Sequence, residues 1–534
     1  MNLRTQTQYG TVEGVTEESV SAFLGIPYGA AMVGEDRFRP TRRPEPWSGI
    51  REAKTWGPRS FQSLALNPLH VAFPHTFAAI VGDDLANDVS LSEDCLTVNV
   101  WTPRAPGSGR PVLVWLHGGG SNGSPSESRS DGNALAGRGD VVVISVTHRL
   151  NVFGYLDLRS VAGEEYAASG STGLLDLVLA LEWVRDNVAN FGGDPGNVTI
   201  FGESAGGAKV ACLMSMPEAR GLFHKAVIQS GADTAGGLSC GADAAQSFAA
   251  DLLTELDLTR DSWREVLQVP GPRLVAAHEG VSAKRGSAYV LPPPGPTIGD
   301  VLSHTPIDAV ENGEIANIPL LVGACADELE LFTMRRDYLA EEPGEDRTLE
   351  LGDAGPRPLA PSGEDELRRW LGEGADEIIA AYKRSRPDAE GGKIEAAIRG
   401  DRQFLIPSLR FVEAFLRIVR SPVFFYSFAW KSDLAPQLGA FHSFDIPFFF
   451  DRTEAIPLAS GDRTAAPLAA NMAESLIAFA RTGAPSHDGI PEWLPYNPKT
   501  RPTMIFDREC RLEYDPRRVE RTAWEGIPTS RLGF

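Results

Sequence analysis

Apolar residues in the first half of the chain fall into two kinds of run. Val112 to Leu116 (VLVWL) and Val141 to Val146 (VVVISV) are short, unbroken and rich in β-branched side chains, as expected of parallel strands covered on both faces. Between Thr172 and Asn190 the period changes. The segment TGLLDLVLALEWVRDNVAN places Leu175, Leu179 and Trp183 on one helical face, and Gly192 and Gly193 follow as a stop. Val198 to Phe201 then predicts a strand and Ala205 to Met214 a helix. Strands and helices alternating at this spacing predict an α/β fold built on a doubly wound, mostly parallel central sheet.

The pattern weakens from Ala276 to Gly400, which holds PPPGP at Pro292 to Pro296 and an acidic, Gly- and Pro-containing stretch around Glu341 to Glu364. These read as surface loops or insertions. Strands return at Pro319 to Gly323 and Pro422 to Phe428, and Ala469 to Thr482 has the period of an amphipathic helix. No internal repeat and no sharp change of composition interrupts the chain. The expectation is one large domain over residues 1–534, with insertions at roughly 62–90 and 276–400 shaping the approach to a site.

Composition narrows the classes of function. With 42% hydrophobic and 23% charged residues over 534 positions, the chain can bury a large core. A formal net charge of -21 disfavours attraction to nucleic acid or to an anionic membrane, both of them polyanions. Cys95, Cys212, Cys240, Cys325 and Cys510 form no CxxC pair and no metal-like spacing, so neither a disulfide framework nor a metal centre is expected. The opening MNLRTQTQYGTVEGV lacks the basic flank and apolar stretch of a secretory signal, and no run approaches the roughly 18 apolar residues that span a bilayer. A cytoplasmic location is the simplest expectation.

The chemistry centres on Gly202, Glu203, Ser204, Ala205 and Gly206, a G-x-S-x-G pattern between the VTIF strand and a helix. Such a turn forces the serine into a strained conformation that lifts its hydroxyl clear of the sheet. A serine hydroxyl needs a base to become a nucleophile, and the developing oxyanion needs fixed donors. His117, Gly118, Gly119 and Gly120 directly follow the VLVWL strand and match the HGGG type of oxyanion loop. In this chain order an acid and then a histidine should follow the serine.

The sequence resembles the type-B carboxylesterases over nearly its whole length. The resemblance rests on FLGIPYG (Phe23 to Gly29), RFRPTRRPEPW (Arg37 to Trp47), SEDCLTVNVWTP (Ser92 to Pro103), FGGDPGNVTIFGESAGG (Phe191 to Gly207), GLFHKAVIQSGA (Gly221 to Ala232) and FARTGAP (Phe479 to Pro485). It implies an α/β-hydrolase fold, and a carboxylic ester hydrolase that works through an acyl-enzyme and needs no metal or organic cofactor. It also implies Ser204 as nucleophile, His442 in LGAFHSFDIPFFF as general base, and Glu328 in ACADELELF as the acid that orients it. Asp327 is the fallback for the acid, because Leu329 stands where the family's DEG motif has glycine. The oxyanion donors would be the N–H groups of Gly119, Gly120 and Ala205.

Other family positions carry less. Glu203 looks mainly like a buried structural acid with a secondary reading as a modulator of the triad, and Arg149 is expected to pair with an acid, Glu93 being the candidate. Cys95 matches a position that forms a disulfide in secreted members, but no cysteine precedes it here. Three residues depart from the family's usual pattern: Ser121 where an aromatic follows the glycine loop, Lys209 in place of a serine, and His148 in place of a tyrosine. The first suggests a more open or more polar acyl pocket. Lys209 either supports the site or replaces a packing contact. The expected partner is a small-molecule ester, with no nucleic acid or membrane and with monomer and dimer both open. Hydrolysis of carbamates or amides by the same residues is the alternative activity, and a non-catalytic binding protein on this fold is the remaining reading.

Overall fold

The computed structural model describes residues 3–17, 19–62, 90–104, 109–120, 130–232, 239–285, 295–331 and 363–532. Among the described residues thirteen strands form its sheet: β1 (Leu3–Thr7), β2 (Gly10–Glu17), β3 (Val20–Pro27), β4 (Ile50–Glu52), β5 (Thr97–Pro103), β6 (Arg110–Leu116), β7 (Val142–Val146), β8 (Gly193–Glu203), β9 (Lys225–Gln229), β10 (Leu320–Cys325), β11 (Val423–Phe428), β12 (Pro502–Phe506) and β13 (Arg511–Tyr514). Their order is β1-β2-β3-β5-β7-β6-β8-β9-β10-β11-β12-β13, with β4 pairing β2. From β7 to β12 every neighbouring pair is parallel, while β5 meets β7 and β13 meets β12 antiparallel. The architecture is the α/β-hydrolase fold.

The apolar runs work as two-sided strands. Val112, Val114 and Leu116 of β6 enter one core with Ile200, Ile228 and Val322, while Leu113 and Trp115 enter the other with Phe201, Val227 and Leu321. Helix α1 (Thr172–Asn187) covers the first face. Its expected orientation needs correcting, because Leu175 and Leu179 are only partly buried whereas Leu174, Leu177, Leu181 and Val184 are fully buried. A helix apolar on most of its circumference is surrounded rather than laid on a surface, so its one-sided reading missed the deeper side. Helix α2 (Ala205–Ser215) follows β8. The stretch read as loops from Ala276 to Gly400 holds helices, among them Glu364–Leu371, Ala375–Ser385 and α3 (Gly391–Gly400). Ala375–Ser385 buries Ile378, Ile379, Ala381 and Tyr382, a helical face hidden in the sequence among charged residues. A π-helical turn at Asp401–Leu405 joins α3 to α4 (Ile406–Ile418). Helix α5 (Ala465–Thr482) seals the second face.

The order reverses at β6: β7 lies on one side of it and β8 on the other. In open α/β sheets ligands bind beyond the carboxyl ends of strands at such a switch point. Leu116 pairs with Gly202 across it, which brings the loop after β6 against the turn after β8. Gly118, Gly119 and Gly120 leave the first strand there and Ser204 leaves the second.

Candidate active site

Ser204 sits between β8 and α2 with φ 56° and ψ -124°. A side chain gains no stability from this sparsely populated region, so neighbours must impose it. They do so through close backbone approach: the Ser204 N–H donates to Gln229 O at 2.8 Å, and a Cβ on Gly206 would lie 2.0 Å from Leu116 O. Only glycine fits there. Ala205 is the first residue of α2, and the first N–H groups of a helix have no intrahelical acceptor. Across the switch point, a Cβ on Gly118 would meet Glu203 O at 2.7 Å and Ser204 Cβ at 3.3 Å, so loop and turn are in contact. Gly119 and Gly120 have φ 85° and 67°, which favours glycine at both.

His442 Nδ1 and Glu328 Oε2 lie 2.6 Å apart. Glu328 is held from several sides. Its Oε1 accepts from Ser230 Oγ at 2.7 Å and from the Cys325 N–H at 2.9 Å, while its carbonyl accepts the His442 N–H at 3.0 Å. Ser230 and Cys325 lie at the ends of β9 and β10, so the sheet itself aims the carboxylate. The fallback acid is placed elsewhere: Asp327 pairs with Lys431 at 2.9 Å and accepts the Ala440 N–H at 3.0 Å. Leu329, in the place of the family glycine, is buried without a left-handed backbone.

Glu203 approaches the imidazole from the other side. Its Oε1 lies 3.3 Å from His442 Nε2 and accepts from Ser443 Oγ at 2.6 Å. The imidazole therefore lies between two buried carboxylates. Burial alone would lower the pKa of His442, but Glu203 and Glu328 outweigh it and raise it to about 9. Burial pushes Glu203 up to about 7, opposed by His442 and supported by the buried Asp445. Asp445 itself is held by Tyr426 Oη at 2.7 Å and Gln229 Nε2 at 3.2 Å.

Several contributors had no sequence signal. Phe404 stacks on the His442 ring with centroids 4.4 Å apart and planes at 29°, delivered by the π-helical turn. Such turns frequently mark functional sites, but their backbone register is not written in composition. Ser443 and Ser230 lie beside motifs read for other residues. Arg149 pairs with Asp176 at 2.7 Å, both fully buried, whereas Glu93 pairs with Arg37. That corrects the expected partner: Asp176 was hidden in the apolar run of α1, where helical spacing drew attention to its leucines. His224 lies immediately before β9, its Nδ1 accepting the Val198 N–H at 3.2 Å. Ser121, His70, His75 and most of the 62–90 insertion fall outside the described residues. A cavity of about 440 Å³ lined by Arg410, Glu413, Trp524 and others contains none of the site residues.

A strained serine at a strand-to-helix turn, with a carboxylate clamped just after β10 and a histidine in the loop that follows β11, defines the serine-hydrolase class on this fold. Residues 2–524 match the profile of the Carboxylesterase family. The chain is 33% identical over 527 residues to the para-nitrobenzyl esterase of Bacillus subtilis (strain 168), covering 96% of this chain and 97% of that one. It is 32% identical over 516 residues to carboxylesterase 3 of Homo sapiens, covering 90% and 82%. Among solved structures, a carboxylesterase of Geobacillus stearothermophilus superposes with a TM-score of 0.81 at 34% identity, covering 98% of this chain and 100% of that chain. The chain belongs to the carboxylesterase family, and it is a carboxylesterase that hydrolyses esters by a serine-hydrolase mechanism.

Proposed function

We propose that Ser204 is the nucleophile, His442 the general base and acid, and Glu328 the carboxylate that fixes the imidazole. The 2.6 Å contact between His442 Nδ1 and Glu328 Oε2 carries this reading, because it leaves Nε2 as the nitrogen that exchanges a proton with Ser204. As Ser204 Oγ attacks the ester carbonyl, His442 takes its proton, and the N–H groups of Gly119, Gly120 and Ala205 receive the oxyanion. The carbon–oxygen bond to the alcohol then breaks, and His442 returns the proton to the leaving oxygen. Water repeats the sequence on the acyl-enzyme and releases the acid. Glu203 stabilises the imidazolium that forms between these steps. The continuous sheet supports reading the chain as one domain, and five cysteines that form no disulfide among the described residues support a reducing, cytoplasmic setting.

A series of p-nitrophenyl esters from acetate to palmitate tests the assignment and grades the acyl pocket. Ser204→Ala is expected to lose kcat by several orders of magnitude on every ester that the wild type cleaves. Retention of activity within about tenfold would remove Ser204 from the mechanism.

A further inference from the structure

Lys209 lies on α2, five residues beyond Ser204, and is completely buried. Burial lowers the Lys209 pKa to about 7, and a buried ammonium ordinarily has a carboxylate beside it. Among the described residues no carboxylate pairs with Lys209, and its Nζ donates to His117 O at 3.1 Å. His117 is the residue at which β6 becomes the glycine loop.

The imidazole of His117 continues the arrangement. Its Nδ1 lies 2.9 Å from Gly118 O, and because a carbonyl oxygen only accepts, Nδ1 carries the hydrogen. The Gly118 carbonyl belongs to the same planar peptide as the Gly119 N–H, so fixing one group fixes the direction of the other. Lys209 thus holds the carbonyl of the first peptide in the loop, and the His117 ring holds that of the second. His148 backs the ring, its centroid 4.5 Å away and its plane at 29°. Burial, aided by the charge of Lys209, lowers His117 to about 3 and lowers His148 as well, so both rings are neutral. Lys209 and His148 are two of the positions that depart from the family's usual residues, and the structure brings them to the same loop.

We propose that Lys209 is a positioning residue of the ester-hydrolysis site: by holding His117 O it sets the orientation of the glycine loop whose N–H groups receive the oxyanion. The inference rests on the reading of Ser204 and of this loop given above. It assigns Lys209 no contact with substrate. Its influence reaches the reaction through the donors, so its removal should weaken transition-state stabilisation more than substrate binding.

Lys209→Met keeps side-chain length and removes both donor and charge; Lys209→Gln keeps a donor with a shorter reach. An alkyl p-nitrophenyl methylphosphonate, which joins phosphorus to a serine hydroxyl and releases p-nitrophenol, counts working sites in each preparation. On p-nitrophenyl acetate, kcat per titrated site should fall about tenfold in Lys209→Met with KM changed less than about twofold. The inhibition constant of a trifluoromethyl ketone, which forms a tetrahedral oxyanion, should rise by a similar factor, and Lys209→Gln should lie between. If kcat per site stays within about twofold of wild type in both variants, the inference is overturned, whatever their melting temperatures. Should Lys209→Met not accumulate as folded protein, Lys209→Gln decides by the same criterion. A wild type that the phosphonate does not label at Ser204 overturns the reading of the nucleophile and this inference with it.

Discussion

In Glu203→Gln the carboxylate 3.3 Å from His442 Nε2 becomes an amide of nearly the same shape, and the imidazole loses one of its two anionic neighbours. The wild-type ring has its pKa raised to about 9, because Glu203 and Glu328 together outweigh the opposing effect of burial. Coulomb's law at an effective dielectric of about 20 gives roughly 5 kcal/mol for full charges at that separation. At about 1.4 kcal/mol per pH unit this upper limit corresponds to roughly 3.6 pH units, more than the net elevation that remains after burial has opposed it. Removing a negative charge destabilises the imidazolium, so the proton leaves at lower pH. For a base that must be unprotonated, the acid limb of kcat/KM then moves toward acid. Wild-type kcat/KM on p-nitrophenyl acetate should still rise between about pH 7 and about pH 9, and in Glu203→Gln the midpoint should fall by roughly two pH units. The assay is the initial rate at substrate well below KM across about pH 5.5 to about pH 10, corrected for spontaneous hydrolysis. An unmoved midpoint, or one displaced toward alkali, would refute the electrostatic account of Glu203.

Two further perturbations probe the frame around the site. Asp176→Ala leaves the fully buried Arg149 guanidinium without its carboxylate; it should cost about 3–5 kcal/mol in urea unfolding, and a loss below about 1 kcal/mol would contradict the importance given to this pair. Gly118→Ala would put a Cβ 2.7 Å from Glu203 O, displacing loop from turn, so kcat per titrated site should fall by at least about tenfold with KM less affected; an unchanged kcat would show that the contact between them is dispensable.

The parts of the site legible in sequence were those written as local motifs. The elbow around Ser204 and the glycines after β6 are short segments whose backbone demands select glycine, so their spacing carries the geometry. Glu328 and His442 were reached through family resemblance, since their meeting at 2.6 Å depends on β10 and β11 being neighbours, which no local pattern encodes. The central strands were visible because burial on both faces leaves unbroken apolar runs. The N-terminal strands β1 to β3, the closing hairpin of β12 and β13 and the helices between Glu364 and Ile418 were not read; in those helices the apolar positions are interleaved with charged residues. Phe404 and Asp176 show the same limit in single residues: the first depends on a π-helical turn, the second on a polar position inside an apolar helix.

The most direct measurement of the central claim is phosphonylation. Treated with an alkyl p-nitrophenyl methylphosphonate, the wild type should release one equivalent of p-nitrophenol per folded chain as esterase activity disappears, with the phosphorus recovered by peptide mass spectrometry on Ser204. Inactivation with Ser204 unmodified, or with the label on another residue, would contradict the assignment of the nucleophile and the mechanism built on it.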